Sequence, residues 1–160
     1  MAGPQDLKLD KLLSPLTIHL ASGQVIKAAV WVSRESDRHH GRERVKDVLN
    51  VPEPMLPIIA VDNGSASVLN RRHVLYVSLD GPDYASEIDE AADLSIHRAV
   101  MVRLSSGRGL KGELFITMPP GKDRTLDFLN RGDAFFYLRT EDGLKLVHLE
   151  HVVSVDDLTT

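Results

Sequence analysis

The sequence contains no cysteine. That excludes disulfides, thiolate metal sites and a cysteine nucleophile. It also lacks any excess of positive charge: 19 Lys and Arg stand against 23 Asp and Glu, for a net charge of −4. A nucleic-acid coat or a polybasic membrane binder normally carries the opposite sign. Aromatic residues are only 5 % of the chain, which leaves few platforms on which bases could stack. No apolar run approaches the roughly 18 residues that span a bilayer. Met1 to Asp10 lacks the basic start and apolar core of a signal peptide, so a cytoplasmic location without a membrane partner is expected. No Ser/His/Asp order, no paired carboxylates in an acid/base setting and no dinucleotide fingerprint are visible, so neither an enzyme nor a cofactor is expected. What remains is 160 residues, 42 % hydrophobic and 26 % charged, the composition of a folded globular chain of one common-sized domain or two small ones.

Those residues form an internal duplication, the feature to seek first because it governs the fold. Leu20-Ala21-Ser22-Gly23 parallels Leu104-Ser105-Ser106-Gly107, and Ile26-Lys27-Ala28 parallels Leu110-Lys111-Gly112, both at an offset of 84. Gly41 to Asn50 lies over Gly121 to Asn130 at an offset of 80 with five identities. Asn63-Gly64 matches Asp142-Gly143, and His73-Val74 matches His151-Val152. The blocks keep their order, and each change of offset falls where a loop is expected. The repeats run from Leu16 to Asp80 and from about Arg98 to Asp156. Units of about 60 residues bury marginal cores alone, so the two are expected to pack together.

Within the first repeat, Thr17–Leu20 and Gln24–Val32 read as strands around a Ser22-Gly23 turn. Arg34–Arg42 reads as a loop and Arg44–Asn50 as a short helix. Met55–Val61 reads as a strand whose Pro57 suits an edge. Asp62-Asn63-Gly64 is a hairpin turn, followed by strands at Ser65–Leu69 and His73–Leu79. The second repeat gives Val100–Leu104, Gly109–Thr117, a helix at Arg124–Asn130, then Phe135–Arg139, Leu144–His148 and His151–Val155. Residues 1–15 are expected to hold a helix at Asp6–Leu13. Residues 81–97 are expected to be a linker with a short acidic helix from Ser86 to Leu94, opened by a Ser86/Asp89 capping box.

Five short strands, a leading helix, the Leu-x-x-Gly hairpins at Leu20 and Leu104 and the Asn70-Arg71-Arg72-His73-Val74 segment resemble an Sm-like small β-barrel. The resemblance implies a mainly β fold of two tandem five-stranded Sm-like (SH3-like) barrels with short helices. It implies a binding module, since such barrels bind RNA or protein and rarely catalyse. The Arg-x-x-Asp-x-Leu/Phe-Asn insert has no counterpart in ordinary Sm proteins. It is similar to a motif of uncharacterised bacterial proteins.

The foremost candidate site is that repeated insert, Arg44, Asp47 and Asn50 with Arg124, Asp127 and Asn130. Positions three apart share a helix face, so Arg and Asp can pair. Asn can close a helix in a left-handed conformation. A salt-bridged brace is favoured over a binding face, so that losing either Asp should lower stability. Leu49 and Leu129 are expected in the core. Arg42 and Lys122, each after a glycine at a helix start, form a weaker candidate anion site. Arg34–Lys46, with His39 and His40, mixes both signs of charge and reads as a solvated loop. His148 and His151, with His73, offer two metal-type ligands three apart but no third, so no metal site is assigned and hydrogen-bonding roles are expected.

The expectation is a non-enzymatic adaptor or regulatory module that binds a protein partner through its β edges and grooves, with the acidic helix Glu87–Asp93 as an added docking surface. RNA binding is the alternative, disfavoured by net charge. A small-ligand sensor is the second alternative. A homo-oligomer is compatible with all three.

Overall fold

The computed structural model describes residues 11–35, 41–79, 87–88, 95–117, 121 and 124–158. The first repeat supplies β1 (Lys11–Leu20), β2 (Val25–Ser33), α1 (Val45–Leu49), β3 (Met55–Ala60), β4 (Ala66–Asn70) and β5 (Val74–Leu79). The second supplies β6 (Ile96–Leu104), β7 (Gly109–Ile116), α2 (Thr125–Arg131), β8 (Phe135–Thr140), β9 (Gly143–His148) and β10 (Val152–Asp157). A 3₁₀ turn, Arg71–His73 or Leu149–His151, precedes the last strand of each repeat. The protein is mainly β, as its alternating apolar segments dictate.

The strands do not form two separate barrels. They form one unclosed antiparallel sheet in the order β10-β6-β7-β8-β9-β5-β1-β2-β3-β4. Each repeat contributes the same internal order, its fifth strand beside its first, then second, third and fourth. The two repeats join where β5 pairs with β9, Tyr76 opposite Val147, Val77 opposite Leu146 and Ser78 opposite Lys145. The fifth strand of the first repeat thus meets the fourth strand of the second instead of closing on its own unit.

Local geometry repeats closely. The Leu20 and Leu104 hairpins turn through Gly23 (φ +94°) and Gly107 (φ +93°), conformations that favour glycine. Leu20 N–H donates to the Gln24 carbonyl at 2.9 Å and Leu104 N–H to that of Arg108 at 2.8 Å. Ala21 N–H reaches the His73 carbonyl and Ser105 N–H that of His151, both at 2.8 Å.

The leading helix is corrected in part. Asp6–Asp10 lie outside the described residues, but Lys11–Leu13 are extended, and β1 runs on through Ser14 and Pro15. Among the described residues, 11–15 pair with β2 alone, because pairing with β5 begins at Leu16. Pro15 therefore sits beyond the described β5 ladder, a position that suits a residue without a backbone donor. Pro57 has a similar setting: β3 meets β2 only at Ile59 and Ala60, leaving Pro57 with β4 alone. The second repeat begins earlier than expected, at Ile96. Ser86 and Asp89–Leu94 of the acidic segment lie outside the described residues.

Two apolar clusters fill the sheet, and each borrows from the other repeat. Leu16, Ile18, Val30 and Leu49 pack with Phe135 and Leu146 of the second repeat. Val100, Leu114 and Leu138 pack with Leu75 and Tyr76 of the first. Strand β5 is consequently buried on both faces from Val74 to Val77. Leu49 is core as expected, whereas Leu129 is only partly buried against the second cluster.

Candidate functional site

The repeated insert has two different fates. In the first repeat its last residue crosses to the second. Asn50 Oδ1 accepts from Phe135 N–H at 2.8 Å, and Asn50 Nδ2 donates to the Phe135 carbonyl at 3.2 Å and to the Lys46 carbonyl at 2.9 Å. Asn50 does not adopt the expected left-handed cap (φ −89°); its side chain closes α1 and ties it to β8. Lys46 adds an ion pair to Asp133 at 3.3 Å and lies over the Tyr137 ring. In the second repeat, Asn130 is exposed and its side chain makes no hydrogen bond among the described residues.

Arg and Asp differ as well. Asp47 Oδ2 accepts from the Arg44 backbone N–H at 3.0 Å, capping α1. Asp127 instead forms a two-pronged ion pair with the Arg124 guanidinium at 3.0 and 3.4 Å, with Arg124 exposed. Asp47→Ala therefore costs about 1 kcal/mol through loss of the cap. Asp127→Ala lowers the melting temperature less, because solvent screens the Arg124 side of its ion pair. Parallel thermal melts of the two variants check this asymmetry against the sequence reading, in which both substitutions lower stability.

The α1 N-terminus already holds an anion. Glu87 is 3 % exposed, and its carboxylate accepts from the Val45 and Lys46 N–H groups and from the Tyr137 hydroxyl, the last at 2.8 Å. Tyr137 also donates to the Glu87 carbonyl at 3.0 Å. Burial, reinforced by this carboxylate, pushes the Tyr137 phenol far above its usual range. The helix start after Gly41-Arg42 thus has its donors engaged internally, against the anion-site expectation. Lys122 lies outside the described residues. Glu87 is a clasp between the repeats and not the exposed docking residue expected from sequence. Nothing in the acidic run around it distinguishes it from its neighbours.

The histidines also serve the junction. His148 is buried, stacks on Phe135 at 4.3 Å and donates through Nδ1 to the Val74 carbonyl at 2.9 Å. His151 donates through Nε2 to the Arg72 carbonyl at 2.6 Å and meets Ser105 Oγ through Nδ1 at 3.2 Å. Glu150, which sequence reasoning overlooked as a third ligand, lies 3.7 Å from His148 Nε2, and ligand atoms of all three residues fall within 4.8 Å of one another. Three of the four ring nitrogens already have partners within hydrogen-bonding distance, which favours hydrogen bonding over coordination. Burial holds the His148 imidazole below its ordinary value of 6.5. The unfolded chain therefore takes up a proton there before the folded one does, and stability falls as pH drops through 6.5. Chemical denaturation between pH 8 and 5 measures this, and His148→Asn, the residue type at the equivalent Asn70, flattens the profile.

A cleft of about 530 Å³ opens beside the junction, lined by Asn50 to Pro54, Asn70 to Arg72, Phe135, His148 and Glu150. Its buried Arg71 donates to the carbonyls of Val48, Glu53 and Met55. Its other cation, Arg72, faces Glu150 at 3.8 Å. Among the described residues, two strand edges have no neighbouring strand. β4 and β10 end the sheet, and Val68 and Val153 on them are 63 % and 70 % exposed. Among the described residues no helix is long and apolar enough to cross a membrane. Compared with protein-family models, curated proteins and solved structures, the chain finds no significant match.

Proposed function

We propose that this chain is a non-enzymatic protein-interaction module, an adaptor that engages its partner by extending the sheet at β4 or β10. The observation that carries this reading is the pair of edge strands at opposite ends of the sheet, each presenting an exposed valine. An edge offers unpaired backbone donors and acceptors to an added strand. Most proteins blunt such edges with charge, proline or cover. β4, Ala-Ser-Val-Leu-Asn, has neither charge nor proline. RNA binding gains little from the cleft, whose buried arginine is committed to backbone carbonyls.

The test is affinity capture with the wild-type chain beside Val68→Lys and Val153→Lys, all shown to be folded by circular dichroism. The expected result is a protein retained by the wild type and lost from at least one edge variant. Partners held undiminished by both variants would place the binding surface elsewhere.

A further inference from the structure

We propose that the cleft beside the repeat junction is a binding site for a small zwitterion: an α-amino acid with an apolar side chain, its ammonium taken by Glu150 and His148 Nε2 and its carboxylate by Arg72 and the Asn70 amide. This is a small-molecule site in addition to the strand edges, and it does not depend on what they bind.

The cleft is built from both repeats, around two equivalent turns. Asn70-Arg71-Arg72-His73 corresponds to His148-Leu149-Glu150-His151, at the same offset that relates His73 to His151. At the two equivalent positions that line the cleft in both repeats, the turns differ: Asn70 stands against His148 and Arg72 against Glu150. Identical turns would have set like against like, two arginines or two carboxylates. The divergence instead sets donors on one wall and acceptors on the other.

These groups have bonding capacity to spare. The Glu150 carboxylate makes no hydrogen bond among the described residues; its oxygens lie 3.8 Å from Arg72 Nε and 3.7 Å from His148 Nε2. Both separations exceed hydrogen-bonding distance. The Arg72 guanidinium has no other partner among the described residues. Asn70 accepts the Arg72 N–H at 2.9 Å through its oxygen and leaves its amide nitrogen unbonded among the described residues.

His148 gives the most specific signal. Its Nδ1–H is engaged at the Val74 carbonyl, so in the neutral ring Nε2 carries a lone pair. Burial keeps this imidazole below its ordinary 6.5, so the ring is neutral at pH 7.5. A lone pair and a carboxylate therefore face each other at 3.7 Å with no donor between them. An ammonium, with three N–H donors and a positive charge, satisfies both. On the opposite wall, Arg72 and Asn70 offer N–H groups to a carboxylate, which only accepts. Beside them the buried Arg71 carries a positive charge bonded to backbone carbonyls, with an Nε–H that has no partner. It draws negative charge to the same wall.

The balance of charge selects the class of ligand. Arg71 and Arg72 line the cleft with Glu53 and Glu150. A net anion such as phosphate, or a net cation such as a polyamine, would leave one wall unmatched, whereas a zwitterion matches both. Val51, Pro52, Pro54 and Phe135 supply an apolar lining against which an aliphatic or aromatic side chain packs. A volume of about 530 Å³ lies in the range of small-molecule sites.

Thermal melts and isothermal titration of the full chain at pH 7.5 test it, with L-leucine and L-phenylalanine as probes. At least one should bind with one-to-one stoichiometry and, at about 10 mM, raise the melting temperature, as a ligand of the folded state does. The N-acetyl derivative lacks the ammonium and the amide derivative lacks the carboxylate. Each should bind at least about tenfold more weakly, the loss expected for a hydrogen bond to a charged group. Glu150→Gln and Arg72→Gln change exposed side chains and should leave the unliganded melt near that of the wild type. Glu150→Gln should bind the amino acid and its N-acetyl derivative alike, and Arg72→Gln the amino acid and its amide alike. That crossed pattern separates a bound zwitterion from a general effect on folding. No heat and no melting shift with either probe overturns the inference, as does binding that both variants leave intact. Capture of a protein partner at the strand edges would stand in either case.

Discussion

Phe135→Ala unfolds both halves of the molecule together, at a cost of about 3–5 kcal/mol. Phe135 belongs to the second repeat in sequence but is 1 % exposed within the first repeat's core, beside Leu16, Ile18 and Leu49. Truncation leaves a cavity shared by both repeats and removes the ring stacked on His148. The sole tryptophan, Trp31, lies on β2 in the first repeat and reports that half by fluorescence. Far-ultraviolet circular dichroism reports the whole sheet. The two signals should shift together to lower denaturant and remain coincident, the mark of one cooperative unit. Separate transitions, with Trp31 unmoved, would show that the repeats are independent.

Glu87→Ala is the second large effect, about 2–4 kcal/mol. The carboxylate satisfies two backbone donors at the start of α1 and the Tyr137 hydroxyl on β8. Its removal leaves these groups without a partner in a closed space, and an unmade buried hydrogen bond costs more than a made one contributes. Tyr137→Phe should cost less by itself. On the Glu87→Ala background it should cost less again, because the two groups act as a unit. Urea midpoints at constant slope measure each term. A Glu87→Ala midpoint within error of wild type would show that water replaces the carboxylate.

The strands were legible because they alternate between glycine-marked turns. The Leu20 and Leu104 hairpins, the Asn63-Gly64 turn and both short helices fall where their residues place them. The joining of the repeats was not legible. A period-two pattern says which face of β5 is apolar, but β5 is apolar on both, and nothing local says that β9 will lie beside it. The insert was visible as a motif, yet its sequence could not distinguish Asn50, engaged at Phe135, from Asn130, exposed. That difference arises only from which repeat has a neighbour on that side. Glu87 was hidden for another reason. A carboxylate among carboxylates gains its role from a hydroxyl 50 residues away, with no signature in spacing.

The shared strand β5 also sets the order of events during synthesis. Val147, the partner of Tyr76, lies 71 positions further along the chain. At a ribosomal pace of about 5–20 residues per second, roughly 4–14 s separate their emergence. Through that interval the nascent first repeat carries β5 with one side unpaired and a core missing Phe135 and Leu146. Pairing of such sequence-distant strands is slow, and an open edge invites pairing with the wrong chain. A growing polypeptide on a crowded polysome would therefore stay vulnerable until β9 emerges, and a chaperone that masks strand edges would act in that window.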